Sequence, residues 1–506
     1  MLPLSGDPPG NKSYYLPLLI IISIGSHFPF ILNGFGEIDA TKIAVSVIDI
    51  LNNGSNAAFT NFYFSDVIPL YILYLKWFMR LLNYDYSYLP IVMNYTNAVF
   101  GTLTIVPAFL LIRQLYRNST IAFCTVLALI FAPSFYQANV MGFPHLIAFF
   151  FLLVSLNFYL SGIDINRKSR GYFFLFPAGV FLTIAFLFKS DIVLVTGIYF
   201  GLLIINKIRD KGTITGSFLM ILVSGVSFLI LRNIILGPSS GTTMSKEGLS
   251  KWYAFSLILP SSIGYYVAQA KPIAYGMGIA SFCMGLIAFS YYLFKKRSDV
   301  LVFIVSWAAL PTIFWLIMIG NNARHNMITV LPVLVIIIVL FYEKAPRYTI
   351  ILTIILILSN FLLTAPSYSI LKPSGSLFKS NTLLEDRMET FQTLAKEITN
   401  IDDNKIAVLG TFHNPHVIIE LMRTHPSYKA SKIGRENYKI QVGEREYVFI
   451  YFVVVKPEDM KEGIDHIIQE YKLENHLFVS VTYYLGSLES RGLKIKKIDI
   501  IKRSGL

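Results

Sequence analysis

Charged residues are scarce in this chain. They make up 14% of its 506 residues, whereas hydrophobic residues make up 54%, and the mean hydropathy is +0.58. A soluble domain typically carries about 25% charged residues, because its surface must face water. The shortage of charge therefore excludes an ordinary soluble protein and predicts a polytopic α-helical membrane protein.

Cysteine is scarce too, since only Cys124 and Cys283 are present and both lie inside apolar runs. A disulfide framework is therefore excluded. The first apolar run also lacks a basic cluster before it and a small-residue cleavage site after it. We therefore do not expect a cleavable signal peptide.

Apolar runs of about 17 to 25 residues, the length that crosses a bilayer, recur along most of the chain. We predict eleven spans, at 15–32, 89–112, 120–137, 145–161, 171–188, 191–206, 215–236, 273–294, 299–319, 326–342 and 348–364. The segment Ser65–Leu82 is also apolar, but it contains Pro69, Lys76 and Arg80. We interpret it as an amphipathic helix in the membrane interface, because counting it as a span would invert every later loop.

Lysine and arginine cluster in every second loop, for example at Arg113 and Arg117 and at Lys295 to Arg297. Basic loops stay in the cytoplasm, so we predict a cell-membrane protein with a cytoplasmic N-terminus. An odd number of spans places the C-terminal residues outside. The net charge of +13 is then a topology signal, and we expect no nucleic-acid partner.

The composition changes near residue 366. "KIAVLG", "EYVFIYFVVV", "LFVSVTYYLG" and "LKIKKIDII" are typical of strands, and "NPHVIIELMRT" and "PEDMKEGIDHIIQEYKL" of helices between or after them. We predict a transmembrane domain over 1–365, with a long first outer loop at 33–88. An extracytoplasmic α/β domain over 366–506 follows it.

Ionisable side chains at membrane depth are costly, so each needs a partner or a function. Five places qualify, and the predicted topology puts all of them on the outer face. They are Glu37 with Asp39, His145, Lys189 with Asp191, Arg232, and Arg324 with His325. Residues from separate loops that converge on one side indicate a site.

One or two carboxylates and several cations at a membrane surface suit a polyprenyl phosphate that carries a sugar. Lys189 and Arg324 would bind the phosphate, and Asp39 would take the proton of the acceptor hydroxyl. Phosphate is a good leaving group, so inverting transfer needs no general acid. Substrate or metal binding is the candidate role for Glu37, His145, Asp191, Arg232 and His325.

Several of these segments resemble the GT-C glycosyltransferases, within them the protein O-mannosyltransferase and lipid A aminoarabinose transferase type. The family has an essential Asp in the first outer loop, about fifteen residues before a Gly, and Asp39 precedes Gly54 in this way. "SDVIPLYILYLKW", "FLFKSDIVL" and "NARHNMITVLP" resemble its interfacial helix, its Lys-containing turn and the start of a late span. The resemblance covers roughly residues 15 to 345 and implies a GT-C fold with Asp39 as base.

The chain also departs from the family pattern. Ala40 stands where the family usually has Glu, Ile43 replaces an aromatic residue, and His145 takes the place of an Asp that many members have. If that Asp binds the acceptor or a metal, His145 does so here or the role is absent. No "WWD" string occurs, which disfavours an oligosaccharyltransferase.

Other interpretations remain open at this point. Asp39 could cap an interfacial helix, and Lys189 or Arg232 could extend to the lipid headgroups. A transporter or flippase for a lipid-linked saccharide is the rival class, although no internal repeat is visible. A scaffold whose outer domain binds a partner would leave the five ionisable places unexplained. The acceptor could be a protein, a lipid or a glycan, and a divalent metal requirement stays open.

Overall fold

The structure is a computed structural model that divides into two units, each made of distant parts of the chain. It describes residues 14–31, 35, 38–54, 59, 69–140, 142–165, 172–189, 211–236, 263–294, 307–309, 311–313, 316, 326–364, 393–410, 414–434, 437–451, 460–485 and 493–501. The helical unit comprises Met1–Ile31, Asp66–Leu73 and Met93–Ser380. The mixed unit comprises Leu32–Ser65, Tyr74–Val92 and Asn381–Leu506. The predicted domain boundary at 365 stays a prediction.

Helices dominate the chain up to residue 364. They are α1 (Tyr15–His27), α2 (Ile38–Asn53), α3 (Pro69–Leu81), α4 (Leu89–Tyr116), α5 (Ser119–Ile130), α6 (Pro133–Val140), α7 (His145–Ile165), α8 (Tyr172–Phe188), α9 (Lys211–Leu236), α10 (Ile263–Met277), α11 (Ile279–Phe294), α12 (Met327–Lys344) and α13 (Thr349–Thr364). Most are apolar on all sides, as helices in lipid are. Internal prolines such as Pro107 in α4 are tolerated there, because neighbouring helices satisfy the freed backbone groups.

Several helices are long and apolar enough to cross a membrane. Among the described residues they are Tyr86–Tyr116, His145–Gly162, Met327–Lys344 and Pro346–Thr364, and two bent pairs (α5 with α6, α10 with α11) raise the number to six. Shorter apolar helices lie at the predicted first, fifth and seventh spans. The predicted span at 191–206 lies outside the described residues, and the one at 299–319 is described only in part. A mostly helical membrane fold is therefore confirmed, and the count of eleven stays a prediction.

Helix α3 is the segment that we interpret as interfacial. It has 13 residues, fewer than the roughly 20 that a spanning helix needs. One side buries Leu75 and Met79, each 0% exposed. The other side exposes Leu73 and Trp77, and it carries Arg80. An exposed side that mixes apolar, aromatic and basic residues is typical of a helix at a membrane surface.

The bend between α10 and α11, 101° between their straight parts, is stabilised by α13. Gly278 at the bend has φ +89°, a conformation that residues with a Cβ rarely adopt. Asn360 Oδ1 accepts the backbone N–H of Ser281 at 3.0 Å, and Thr364 Oγ1 accepts that of Ile279 at 3.0 Å. Two first-turn N–H groups of α11 are thus capped by another helix, which lipid could not do.

The C-terminal residues form a six-stranded sheet. Its elements are β1 (Lys405–Leu409), α14 (Asn414–Thr424), β2 (Lys429–Lys432), β3 (Tyr438–Val442), β4 (Arg445–Ile450), α15 (Met460–Tyr471), β5 (Leu477–Leu485) and β6 (Leu493–Ile501). The strand order is β2-β3-β4-β1-β5-β6. The central β4, β1 and β5 are parallel, and the outer pairs are antiparallel. The small C-terminal α/β fold is therefore confirmed.

Helix α15 covers an apolar face of this sheet. Ile464, Ile467 and Ile468 pack with residues of the central strands, such as Val448 and Phe478. Burial of these side chains holds the helix on the sheet. The sequence analysis did not predict β2 and β3, whose strings "KASK" and "YKIQV" are too polar to stand out as strands.

Candidate functional site

Asp39 is the second residue of α2, which begins at Ile38. It lies within the first helical turn. Glu37, the other acidic candidate of this loop, lies outside the described residues.

The rest of α2 is buried, and it carries a second carboxylate that the sequence analysis missed. Asp49 is 0% exposed. Its Oδ2 accepts the backbone N–H of Phe59 at 2.6 Å. Its Oδ1 accepts the amide of Asn53 at 2.7 Å and the hydroxyl of Tyr428 at 2.8 Å. A buried carboxylate is stable only with such donors, so Asp49 is a structural anchor of the mixed unit.

Tyr428 follows α14 and precedes β2, so it connects α2 to the α/β domain within the mixed unit. Burial, and the neighbouring Asp49 carboxylate, raise the pKa of Tyr428. Its hydroxyl therefore keeps the proton that it donates. No glycine motif or charge motif in the sequence predicts the contact between Tyr428 and Asp49. The only sequence signal was an Asp on the otherwise apolar side of an amphipathic helix, "AVSVIDIL".

Lys189 and His145 lie at the same end of a helix pair in the helical unit. Lys189 directly follows α8, and His145 is the first residue of α7. The two helices pack side by side, and the ring of Phe151 in α7 stacks on that of Phe188 at 5.7 Å. Two of the five places that stand out in the sequence therefore lie at the same end of one helix pair.

Both side chains are buried. Lys189 is 5% exposed, and its backbone N–H donates to the carbonyl of Ala185 at 3.0 Å, which continues the last turn of α8. His145 is 8% exposed, and its ring packs edge-on against Phe143 with 5.9 Å between centroids. A buried ammonium group at the end of an apolar helix is costly and needs a partner or a function, and the role of Lys189 stays a prediction.

The remaining candidates are described less fully. Arg232 lies within α9, near its C-terminal end. Asp191, Arg324 and His325 lie outside the described residues. Asn326, which directly follows His325, is 0% exposed at the start of α12. The roles that we assigned to these residues stay predictions.

Buried amides form a group that the sequence analysis missed, because it searched only for ionisable residues. Asn94 and Asn97 on α4 and Asn139 on α6 are at most 1% exposed, and Gln137 on α6 is 7% exposed. The helices approach closely, since a Cβ on Gly101 would come within 1.8 Å of Asn139 Oδ1. Neutral amides within apolar helices are costly unless hydrogen-bonded. They make this part of the helical unit polar without adding charge.

Metal ligands do not cluster among the described residues, in which no group of three or more His, Cys, Asp or Glu could hold an ion. Two of the acidic candidates, Glu37 and Asp191, lie outside that part of the chain.

Comparison with known proteins adds the fold relationship. No protein-family model and no curated protein matches the chain. Among solved structures, the apo oligosaccharyltransferase of Archaeoglobus fulgidus aligns with a TM-score of 0.55 at 11% identity, over 93% of this chain and 70% of that one. ArnT from Cupriavidus metallidurans in the apo state aligns with a TM-score of 0.55 at 12% identity, over 93% of each chain.

A second structure of ArnT, bound to undecaprenyl phosphate, aligns with a TM-score of 0.52 at 12% identity, over 94% of this chain and 96% of that one. Identities this low show a shared fold only. ArnT and the archaeal enzyme are both GT-C superfamily members, and the alignments confirm the GT-C fold that the resemblance implied. The roles that the resemblance gave to Asp39, "FLFKSDIVL" and "NARHNMITVLP" stay predictions. The chain therefore has the fold of the GT-C glycosyltransferases.

Proposed function

We propose that this protein is a membrane glycosyltransferase that moves a sugar from a polyprenyl-phosphate donor to an acceptor hydroxyl on the outer face of the membrane. The observation that carries the proposal is the alignment with ArnT over 93% of both chains. The archaeal oligosaccharyltransferase has 30% of its length unmatched. The missing "WWD" string also favours the ArnT type over an oligosaccharyltransferase.

The neighbours support a lipid-linked donor. ArnT was solved with undecaprenyl phosphate, and the archaeal enzyme with dolichol-phosphate and an inhibitory peptide. In our proposal, Lys189 and Arg324 bind the phosphate of the donor. Membrane lipids surround its tail. The acceptor is a protein, a lipid or a glycan with a free hydroxyl.

Asp39 is the proposed base. Its carboxylate takes the proton of the acceptor hydroxyl while the acceptor oxygen attacks the anomeric carbon, on the side opposite the phosphate. The bond to the phosphate oxygen breaks, and the cations stabilise the charge that develops on the leaving group. Displacement in one step inverts the anomeric centre.

A divalent metal could assist phosphate binding, since the archaeal enzyme was also solved with zinc and sulfate. Glu37, His145, Asp191 and His325 are the candidate ligands, with Arg232 a further candidate for substrate binding. The described residues do not gather three such ligands. We therefore derive no step through a metal.

Transfer from a panel of undecaprenyl-phosphate hexoses and pentoses, with the protein in proteoliposomes, tests the proposal. Asp39→Asn should lower kcat/KM by about 100-fold or more, the usual contribution of a general base. Asp402→Asn is the matched control, because its side chain is fully exposed. Full activity of Asp39→Asn would remove the proposed base. Movement of intact donor between leaflets without cleavage would instead support the alternative, a flippase or transporter.

A further inference from the structure

Asp49 is held by donors from three separate parts of the mixed unit. Asn53 lies one turn further along α2, Phe59 lies in the segment after the helix, and Tyr428 belongs to the α/β domain. The carboxylate is fully buried. Three donors at 2.6 to 2.8 Å therefore hold it from three directions.

Phe59 adds two further contacts to the same region. Its carbonyl accepts the hydroxyl of Ser46 at 3.1 Å, so the residue is bonded to α2 through both its N–H and its C=O. Its ring packs on that of Tyr438 in β3, with 4.5 Å between centroids. Helix α14 also packs against α2. The C-terminal half of α2 is thus fixed to the α/β domain.

Helix α2 transmits this constraint to its N-terminus. It runs without interruption from Ile38 to Asn53, and Asp39 lies ten residues before Asp49, about 15 Å along the axis. A tilt of about 5° at the anchor would displace Asp39 by roughly 1 Å. A displacement of that size can lower a reaction rate by about 100-fold.

We propose that Asp49 is a positioning residue, and that the α/β domain, through Tyr428 and Phe59, sets the direction of the helix that carries the base. This inference rests on the proposed function, because it assigns the anchor a role in aiming Asp39. It also gives the α/β domain a part in the reaction besides any contact with the acceptor.

Tyr428→Phe is the sharpest test, because it removes one hydroxyl and leaves Asp49 two donors. We expect kcat per folded molecule to fall about 10-fold, an intermediate displacement of the base, while KM for the undecaprenyl-phosphate donor stays within about 2-fold, since the phosphate ligands are unchanged. Tyr471→Phe is the matched control. It removes a tyrosine hydroxyl that accepts the side-chain amide of Asn437 at 2.9 Å in the same domain, a contact that includes no residue of α2.

Asp49→Asn, alone and with Tyr428→Phe, completes the test. Size-exclusion chromatography and thermal unfolding give the folded amount of each variant, so that a merely structural loss does not count as a fall in kcat. We expect the double variant to be less impaired than the product of the two single effects, because both changes disturb the same group of hydrogen bonds. If Asp49→Asn does not fold, Tyr428→Phe alone decides.

The outcomes separate the two proposals. If Asp39→Asn is inactive while Tyr428→Phe keeps the wild-type kcat, the positioning role is overturned and the proposed function stands. The positioning role is also overturned if the effects of Asp49→Asn and Tyr428→Phe on kcat multiply in the double variant. A rise in donor KM without a fall in kcat overturns it too. An active Asp39→Asn variant overturns the proposed function itself.

Discussion

Large hydrophobic side chains are exposed in one part of the molecule and nearly absent from the surface of another. Tyr95, Val99, Leu103 and Leu110 follow one stripe of α4, each 43–44% exposed. Beyond residue 364, Tyr451 is the only large hydrophobic residue that is exposed among the described residues. The two regions are therefore built for different solvents, lipid for the helices and water for the α/β domain.

Polar groups show the same contrast. The helical unit places amides and hydroxyls inside, where they cap helix ends and bond backbone carbonyls. The α/β domain places its ion pairs near the surface, as at Lys439 with Glu446. A substitution should therefore lower stability strongly inside the helical unit or on its lipid surface. A substitution on the surface of the α/β domain should change stability little.

The largest effect is expected at the bend between α10 and α11. A Cβ on Gly278 would lie 2.3 Å from Asn360 Oδ1, so Gly278→Ala must displace the amide that caps α11. The positive φ adds strain, and we expect a loss of about 3 kcal/mol in the free energy of unfolding. Thermal unfolding in detergent measures it. Gly25→Ala in α1 is the control, because nothing lies within 4 Å of a Cβ added there. An equal loss of stability in both variants would contradict the close packing of Gly278 against Asn360.

The lipid-facing stripe gives the next largest effect. Leu103→Arg places a charge on an exposed position that water would accept but a bilayer would not. The cost at the centre of a spanning helix is about 2.5–3.5 kcal/mol, and the apolar Leu103→Phe should be nearly neutral. The fraction of protein that folds in nanodiscs measures both. Equal folding of the two variants would show that this stripe faces water, and would remove the contrast between the regions.

The fold was predictable from sequence wherever solvent sets the pattern. Apolar runs located α4, α7, α12 and α13, and alternating strand and helix signals located the central β4, β1 and β5, because burial dictates those residue types. The bend at Gly278 was not predictable, since its caps come from Asn360, about 80 residues away in sequence. Long-range contacts of this kind leave no periodic signal.

The candidate site was predictable only where charge stands out against an apolar background. Charge singles out His145 and Lys189, which the structure places at one end of α7 and α8, and their roles stay predictions. The search for charge missed Asp49, because an Asp within an amphipathic helix is normally read as part of a solvated side. It missed Asn94, Asn97 and Asn139 because neutral amides carry no charge signal.

Acid should weaken the α/β domain. Burial lowers the pKa of His476 below 6.5, although Glu446 at 3.0 Å opposes the shift. Because the folded state binds a proton at His476 less readily than the unfolded chain, it loses stability as the pH falls below about 6.5, the pKa of histidine in the unfolded chain. For one proton the loss is at most about 1.4 kcal/mol per pH unit. Hydrogen exchange in β4 and β5, corrected for intrinsic rates, measures the change. His476→Gln should flatten the profile between pH 7.5 and about 5.5, and greater stability in acid would contradict the assignment.

The smallest effect is expected at an ion pair on the water-facing surface. Arg423 on α14 forms a bidentate contact with Glu420, one turn earlier, and its side chain is 49% exposed. Water screens such a pair, so a double-mutant cycle of Glu420→Gln and Arg423→Gln should give a coupling of only about 0.3–0.5 kcal/mol. The coupling should fall further in high salt. A coupling as large as the Leu103→Arg effect would mean that α14 is covered by lipid or protein. The α/β domain would then not be the water-facing region of the comparison.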